Sequence, residues 1–265
     1  MITVERLGRV GVVWLDRPEA RNALSADMWA ELPVKMTELD NDEDVRAVVI
    51  AGRGPAFTIG IDLTMLASLE PEGASEVARR RALFATIKEL QLSMSAVADC
   101  GKPVIAAVHG YCLGAGVDLI AAADIRYAAA DTVFSIRETR LAMVADVGTL
   151  QRLPAVMPAG HLAELAFTGR DFDANHALMV GLVNQIHPDQ ETTLKASLAL
   201  AEEIAANSPL AVQGVKAVLR AGAGRSVEQA LDYVALWNAA FLQSDDLTEA
   251  MGAFFEKRRP DFTGR

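Results

Sequence analysis

The sequence predicts an α/β core followed by an all-helical C-terminal region. Two segments, residues 45–51 and 104–108, are β-branched and apolar on both sides, which is typical of strands that are buried on two faces. Helical spacing of apolar residues dominates from residue 190 onward, after strands and helices that alternate. We therefore expect a catalytic core over residues 1–187 and a helical region over residues 188–265.

The N-terminal half supplies the remaining elements of the predicted core. Residues 2–7 and 11–15 read as two strands joined in a hairpin at Gly8-Arg9. Ser25 can cap a helix that runs to about Leu39, although Pro33 lies inside it. Residues 75–98 have helical spacing, and residues 125–128 indicate a third buried strand.

Composition and charge exclude several classes of protein. The chain has 265 residues, of which 51% are hydrophobic, and its net charge is −10, so we expect no nucleic-acid partner. No segment resembles a signal peptide or a membrane span, and we expect a cytoplasmic protein without a membrane partner. Cys100 and Cys112 have apolar neighbours, which predicts buried free thiols.

Two glycine-rich turns, residues 52–63 and 109–119, follow the buried strands. Neither has the spacing of a dinucleotide-binding or P-loop motif, and each taken alone can be a tight connection. Each turn nevertheless leads from a strand towards a predicted helix start, where backbone N–H groups lack partners. Two such groups that converge on one oxygen form an oxyanion hole, which suits a reaction that develops charge on a carbonyl oxygen.

Three acids, Asp118, Glu138 and Asp146, lie downstream of these turns. Acids in apolar surroundings are either paired and structural or tuned for proton transfer, and the sequence leaves both interpretations open. Glu138 has Arg137 and Arg140 as neighbours, so a surface ion pair is the alternative there. The four histidines have no zinc spacing, and no metal site is expected. His109 is interpreted as a hydrogen-bonded core residue, and no serine-hydrolase elbow occurs.

Nearly the whole chain resembles the enoyl-CoA hydratase/isomerase, or crotonase, superfamily. The resemblance is carried by RPEARNAL, KPVIAAVHG and the GAG of the second turn, and by further segments at 56–63, 123–126, 149–153, 165–169, 177–183 and 253–258. It implies a crotonase-like spiral of ββα units with an all-helical C-terminal trimerisation region. A homotrimer or homohexamer is therefore expected.

The resemblance also implies the ligand and the residues that bind it. An acyl-CoA thioester would be the substrate, with no separate cofactor because coenzyme A is part of that substrate. The oxyanion hole would use the backbone N–H groups of Ile61 and Ala115. The CoA portion would lie along residues 21–23 and along the first turn at residues 56–62. Lys257 would reach CoA phosphates near a neighbouring subunit's site. The implied contacts are Arg21, Ala23, Ala56, Gly60, Asp62 and Lys257.

The pattern Asp118, Glu138, Asp146 most resembles the Δ3,5-Δ2,4-dienoyl-CoA isomerases. That resemblance implies Asp146 as the base at C2, Glu138 as the acid at C6, and Asp118 as a residue that tunes or orients Glu138. The main alternative is an enoyl-CoA hydratase, in which Asp118 and Glu138 flank a water. The sequence is also compatible with a Δ3-Δ2 isomerase and with a non-catalytic acyl-CoA-binding subunit.

Overall fold

Two sheets organise the protein, whose computed structural model describes residues 1–68 and 73–265. The main sheet has six strands: β1 (Ile2–Leu7), β2 (Val10–Leu15), β3 (Ala47–Gly52), β4 (Val104–Val108), β6 (Ile125–Ala129) and β9 (Gln185–His187). Their spatial order is β1-β2-β3-β4-β6-β9; β1 is antiparallel to β2 and all other pairs are parallel. The smaller sheet is formed by β5 (Tyr111–Leu113), β7 (Val133–Ser135) and β8 (Phe172–Asp173).

Eleven α-helices lie within the described residues. They are α1 (Ala26–Asn41), α2 (Leu63–Ser68), α3 (Glu76–Asp99), α4 (Ala115–Ala122), α5 (Thr149–Arg152), α6 (Ala159–Thr168), α7 (Ala174–Met179), α8 (Gln190–Ala205), α9 (Pro209–Gly222), α10 (Val227–Phe241) and α11 (Asp245–Glu256). Short 3-10 turns occupy Pro18–Ala20, Glu138–Leu141 and Leu153–Ala155. None of the described helices is long and apolar enough to cross a membrane.

The local predictions agree closely with these elements. The hairpin pairs Leu7 with Val10, and the Ser25 hydroxyl accepts the Met28 N–H at the start of α1. Strand 104–108 is confirmed at both ends. β3 begins at Ala47 rather than at residue 45, because the Val45 amide closes a turn with the Asp42 carbonyl.

Both faces of the main sheet are covered, which explains the two-sided apolar pattern of its central strands. Every residue of β2 and β3 is buried. One face packs against α8, and the other joins a larger cluster that includes residues of α1, α3 and α4. The first helix of the C-terminal region, α8, thus packs against the main sheet and forms part of the core.

The parallel order of β3 and β4 brings the two glycine-rich turns to the same edge of the sheet. Three backbone hydrogen bonds join the turns: Phe57 N–H to the His109 oxygen, Thr58 N–H to the Tyr111 oxygen, and Leu113 N–H to the Thr58 oxygen, at 2.9 to 3.2 Å. The second turn then leads directly into α4 at Ala115. The sheet therefore fixes the position of one turn relative to the other.

Candidate active site

The first turn presents a free backbone donor at Ile61. Leu24 pairs with both neighbours of Ile61, donating to the Gly60 oxygen at 2.8 Å and accepting from Asp62 at 3.0 Å. Since alternate amides of an extended segment face opposite sides, the Ile61 N–H faces away from Leu24. It has no hydrogen-bond partner within the described part of the chain.

The second free donor is the N–H of Ala115, the first residue of α4. The first turn of a helix leaves its amides unpaired, and no described residue accepts from this one. Gly60, with φ of +93°, brings the two turns together: an added Cβ there would lie 2.7 Å from the Leu113 oxygen and 3.5 Å from the Ala115 nitrogen. Such close approach requires glycine.

A cavity of about 820 Å³ opens beside these two donors. Nine of the residues predicted from the sequence lie in its wall: Arg21, Ala23, Gly60, Ile61, Asp62, Ala115, Asp118, Glu138 and Asp146. Its apolar wall includes Trp29, Leu90, Leu113, Met143 and Val147. The structure therefore gathers the three acids and both free N–H groups around one space.

Asp118 is the most deeply buried of the three acids, with 1% of its surface exposed. Its Oδ1 accepts the N–H of Thr149 at 2.5 Å, while its Oδ2 has no partner among the described residues. Burial raises the pKa of Asp118 to about 6, against the opposing effect of the Thr149 hydrogen bonds. Because α4 carries Asp118 and Thr149 begins α5, this contact links the oxyanion turn to the segment that carries Asp146.

Glu138 lies against the second turn. An added Cβ on Gly114 would come within 3.3 Å of the Glu138 Oε1, and the Glu138 Oε2 is buried without a partner in the described part of the chain. Burial, followed by the charge of Asp118, raises the pKa of Glu138 to about 7. A group with that pKa is part protonated and part ionised at neutral pH, as a proton donor must be.

The alternative of a surface ion pair at Glu138 is not what the structure shows. The neighbouring Arg137 instead pairs with Asp171, with its Nη2 2.7 and 2.8 Å from the two carboxylate oxygens. Arg140 makes no ion pair within the described residues. The Glu138 carboxyl is therefore left without a cationic partner among those residues, which is consistent with its raised pKa.

Asp146 lies on the open side of the cavity, with its side chain exposed. Partial desolvation nevertheless raises its pKa above the ordinary value. Three contacts fix its loop: Gln91 Nε2 donates to the Asp146 oxygen at 2.7 Å, Arg152 donates to the Val147 oxygen at 3.2 Å, and Asp118 holds Thr149. Arg152 also donates to the Ser95 hydroxyl. Two residues of α3, Gln91 and Ser95, therefore hold this loop.

The segment before α1 forms the opposite rim of the cavity. Arg21 and Asn22 both have left-handed backbone angles, with φ of 50° and 56°. The fully buried Asn22 side chain supports this shape by accepting from Arg17 N–H and donating to the Arg53 and Ala56 oxygens. Arg21 and Ala23 consequently reach the cavity wall.

Three of the predicted contact residues have other roles in the isolated chain. Ala56 is fully buried, and its oxygen is taken by Asn22, so its side chain does not line the cavity. Asp62 pairs with Arg17 at 2.6 Å and accepts from the N–H and the hydroxyl of Thr64. Lys257 lies beyond the end of α11 and outside the cavity wall of its own chain.

Sequence reasoning missed the supporting residues Asn22, Gln91, Thr149 and Arg152. Asn22 lies inside the RPEARNAL segment and Thr149 inside 149–153, so the resemblance contained a signal for both. Gln91 lies on a long helix and contacts residue 146, and no local pattern points to that pair.

The arrangement is suited to enolate chemistry on a thioester. Two backbone donors can stabilise charge on a carbonyl oxygen, and two acids with raised pKa values can exchange protons with carbons of the same ligand.

The sequence matches the enoyl-CoA hydratase/isomerase family over residues 5–265. It is 46% identical over 251 residues to the peroxisomal Δ(3,5)-Δ(2,4)-dienoyl-CoA isomerase of Arabidopsis thaliana, covering 94% of this chain and 90% of that protein. It is 45% identical over 249 residues to the human mitochondrial protein of the same name, covering 93% and 76% respectively. A crystal structure of an enoyl-CoA hydratase from Bacillus anthracis superimposes with a TM-score of 0.90 at 30% identity, covering 100% of this chain and 99% of that one.

These relatives correct one expectation and confirm another. The expected cytoplasmic location is wrong, since the Arabidopsis and human relatives are peroxisomal and mitochondrial proteins. The expected fold is confirmed, because the family match spans nearly the whole chain and the structural match includes the helical C-terminal region. The chain is an enzyme that belongs to the enoyl-CoA hydratase/isomerase family.

Proposed function

We propose that this enzyme converts 3,5-dienoyl-CoA to 2,4-dienoyl-CoA. The observation that carries the proposal is Asp146, a third acid in the cavity that already holds Asp118 and Glu138. The relatives at 45–46% identity, which are dienoyl-CoA isomerases, support the same conclusion. Moving a conjugated diene requires proton removal at C2 and proton addition at C6, and one carboxylate cannot reach both carbons.

Asp146 acts first, as the base. The thioester oxygen accepts the N–H groups of Ile61 and Ala115, which stabilise the negative charge that develops there. The Asp146 carboxylate removes the C2 proton, and the electron pair spreads over the carbonyl oxygen and the two former double bonds. At neutral pH Asp146 is the acid best suited to this step, because it is the most solvated of the three.

Glu138 then completes the shift by delivering its proton to C6. The double bonds move to C2 and C4, and the carbonyl regains its double bond. Each turnover leaves Asp146 protonated and Glu138 ionised, so the enzyme must return one proton to Glu138. Its pKa of about 7 makes that return favourable near neutral pH.

Asp118 supports both acids without touching the substrate carbons. Its charge is the second cause of the raised pKa of Glu138, after burial. Its hydrogen bond to Thr149 also holds the loop of Asp146. This second role goes beyond the tuning or orientation of Glu138 that the sequence suggested.

The CoA portion of the substrate lies along the rim formed by Arg21 and Ala23 and along the first turn at Gly60 and Asp62, while the buried Ala56 supports that turn through its bond to Asn22. The left-handed angles at Arg21 and Asn22 support this assignment, because such strain collects at ligand-binding loops. Lys257 contributes to CoA phosphate binding only if a neighbouring subunit presents it. No cofactor other than the CoA of the substrate takes part.

The hydratase alternative is less compatible with the contacts of Asp118. A hydratase would use Asp118 and Glu138 to hold a water for addition at C3. Asp118 Oδ1 is occupied by Thr149, so only its Oδ2 remains to hold that water. The shorter aspartate side chain also places the carboxylate about one methylene farther from the substrate.

We expect the purified enzyme to isomerise a 3,5-dienoyl-CoA at least about tenfold faster, by kcat/KM, than it hydrates a 2-enoyl-CoA, because a positioned acid or base typically contributes more than that. A base and an acid are available for C2 and C6, whereas a water would have only one free oxygen of the short, buried Asp118 side chain beside Glu138. The rise of 2,4-dienoyl absorbance and the loss of enoyl absorbance measure the two reactions. Faster hydration would contradict the isomerase proposal and leave the fold unaffected.

Amide substitutions should separate the two proton transfers. Asp146→Asn should abolish both turnover and the exchange of the C2 proton with deuterated solvent. Glu138→Gln should abolish turnover but keep C2 exchange, because the dienolate still forms and takes its proton back. We expect each to lower kcat by about 10²–10⁴-fold, the contribution typical of a positioned acid or base, with a smaller loss for Asp118→Asn.

Asp27→Asn provides the matched control for this series, since Asp27 is exposed on α1 and lies outside the cavity wall. It should leave turnover and exchange unchanged. Near-normal isomerisation by Asp146→Asn would show that Asp146 is a structural acid.

We propose a homotrimer or homohexamer as the functional assembly. Support comes from large apolar side chains that the isolated chain leaves exposed on α10 and α11, among them Val227, Leu231, Leu236, Phe254 and Phe255 at 59–78% exposure. Light scattering at micromolar concentration should give a mass three or six times 28.3 kDa. Leu231→Glu, which places a charge in this surface, should lower the mass, and a monomeric wild-type protein would contradict the proposal.

A further inference from the structure

Thr58 occupies a position from which one side chain can control the whole oxyanion site. It is fully buried in the first turn and does not line the cavity. Its backbone N–H and oxygen pair with Tyr111 and Leu113 of the second turn. Its hydroxyl and methyl groups make the contacts that bear on the two oxyanion donors.

The Thr58 hydroxyl bridges the CoA rim and the first oxyanion donor. It donates to the Asn22 oxygen at 2.6 Å and accepts the Gly60 N–H at 3.1 Å. Gly60 precedes Ile61 and has a left-handed φ of +93°, so the hydroxyl holds the peptide unit just before the one that carries the Ile61 N–H. The hydroxyl therefore couples the left-handed Asn22 to the first oxyanion donor.

The Thr58 methyl group reaches the second donor. A Cβ added to Gly116 would lie only 2.7 Å from the Thr58 Cγ2, which shows that this methyl packs on the bare backbone of the first turn of α4. Gly116 follows Ala115, so the same contact fixes the helix end that presents the Ala115 N–H.

We infer that Thr58 is a positioning residue that sets the spacing and direction of the Ile61 and Ala115 N–H groups. It acts through Gly60 on one side and through Gly116 on the other, and it does not touch the substrate. The inference rests on the proposed function, because the oxyanion hole is assigned there.

The decisive readout is the spectrum of a bound product. Two hydrogen bonds to the carbonyl oxygen of 2,4-hexadienoyl-CoA pull electron density through the diene and shift its absorbance to longer wavelength. A merely structural residue changes stability and leaves this shift intact. The shift at saturating product therefore reports donor geometry separately from affinity.

Thr58→Val removes the hydroxyl and keeps the side-chain volume. We expect it to lose more than about half of the wild-type red shift and to lower kcat by about 10- to 100-fold with KM within about threefold, because removal of one oxyanion donor costs about 10²–10³ and misplacement costs less. Thr58→Ser keeps the hydroxyl but loses the methyl that packs on Gly116, so its losses should be smaller than those of Thr58→Val but measurable. If Thr58→Val does not fold, Thr58→Ala removes the hydroxyl and the methyl that packs on Gly116 together, and it should lose at least as much of the red shift.

Thr193→Val is the matched control. Thr193 is also buried, and its hydroxyl donates to a backbone oxygen at 2.6 Å, but it lies on α8 away from the cavity. It should cost stability and leave the red shift and kcat unchanged. A full red shift and normal kcat in Thr58→Val, beside an active wild type, would overturn the inference alone; a wild type without shift or isomerisation would overturn the proposed function with it.

Discussion

Asp118, Glu138 and Asp146 lie in the wall of one cavity, and most of the site depends on how the protein tolerates these neighbouring carboxyl groups. Asp118 and Glu138 each keep a buried oxygen without a partner among the described residues, which no ordinary core position would retain. No described cation pairs with either carboxyl, and the neighbouring Arg137 is held by Asp171. The consequence is a Glu138 carboxyl with a pKa of about 7, which is still partly protonated near neutral pH.

The main sheet fixes the positions of the two oxyanion donors relative to the acids. Parallel β3 and β4 end at one edge of the sheet, so two turns that lie far apart in the sequence are hydrogen-bonded to each other. The first turn presents Ile61 and the second presents Ala115, while the first turn of α4 also carries Asp118. A shift in either turn would therefore change the carbonyl site and the acid cluster together.

Much of this was predictable from local sequence. The strands 104–108 and 2–7, the cap at Ser25 and the two glycine turns have short-range signals, and the resemblance supplied the acids and the oxyanion donors. The contacts that set the acids' properties were not predictable, because Gln91 with Asp146 and Arg137 with Asp171 join residues 55 and 34 positions apart. They depend on side-chain directions that are fixed only after α3 and the segment before β8 have packed.

The central claim, that burial and the charge of Asp118 raise the pKa of Glu138 to near neutral pH, can be measured directly. Carbon-13 NMR of side-chain carboxyls, with Glu138 assigned by its loss in Glu138→Gln, gives its titration midpoint. We predict a midpoint near pH 7 in the wild type and a lower one in Asp118→Asn, because that substitution removes a negative charge that opposes ionisation of Glu138. A wild-type midpoint near the ordinary glutamate value of 4.5, unmoved by Asp118→Asn, would contradict the account.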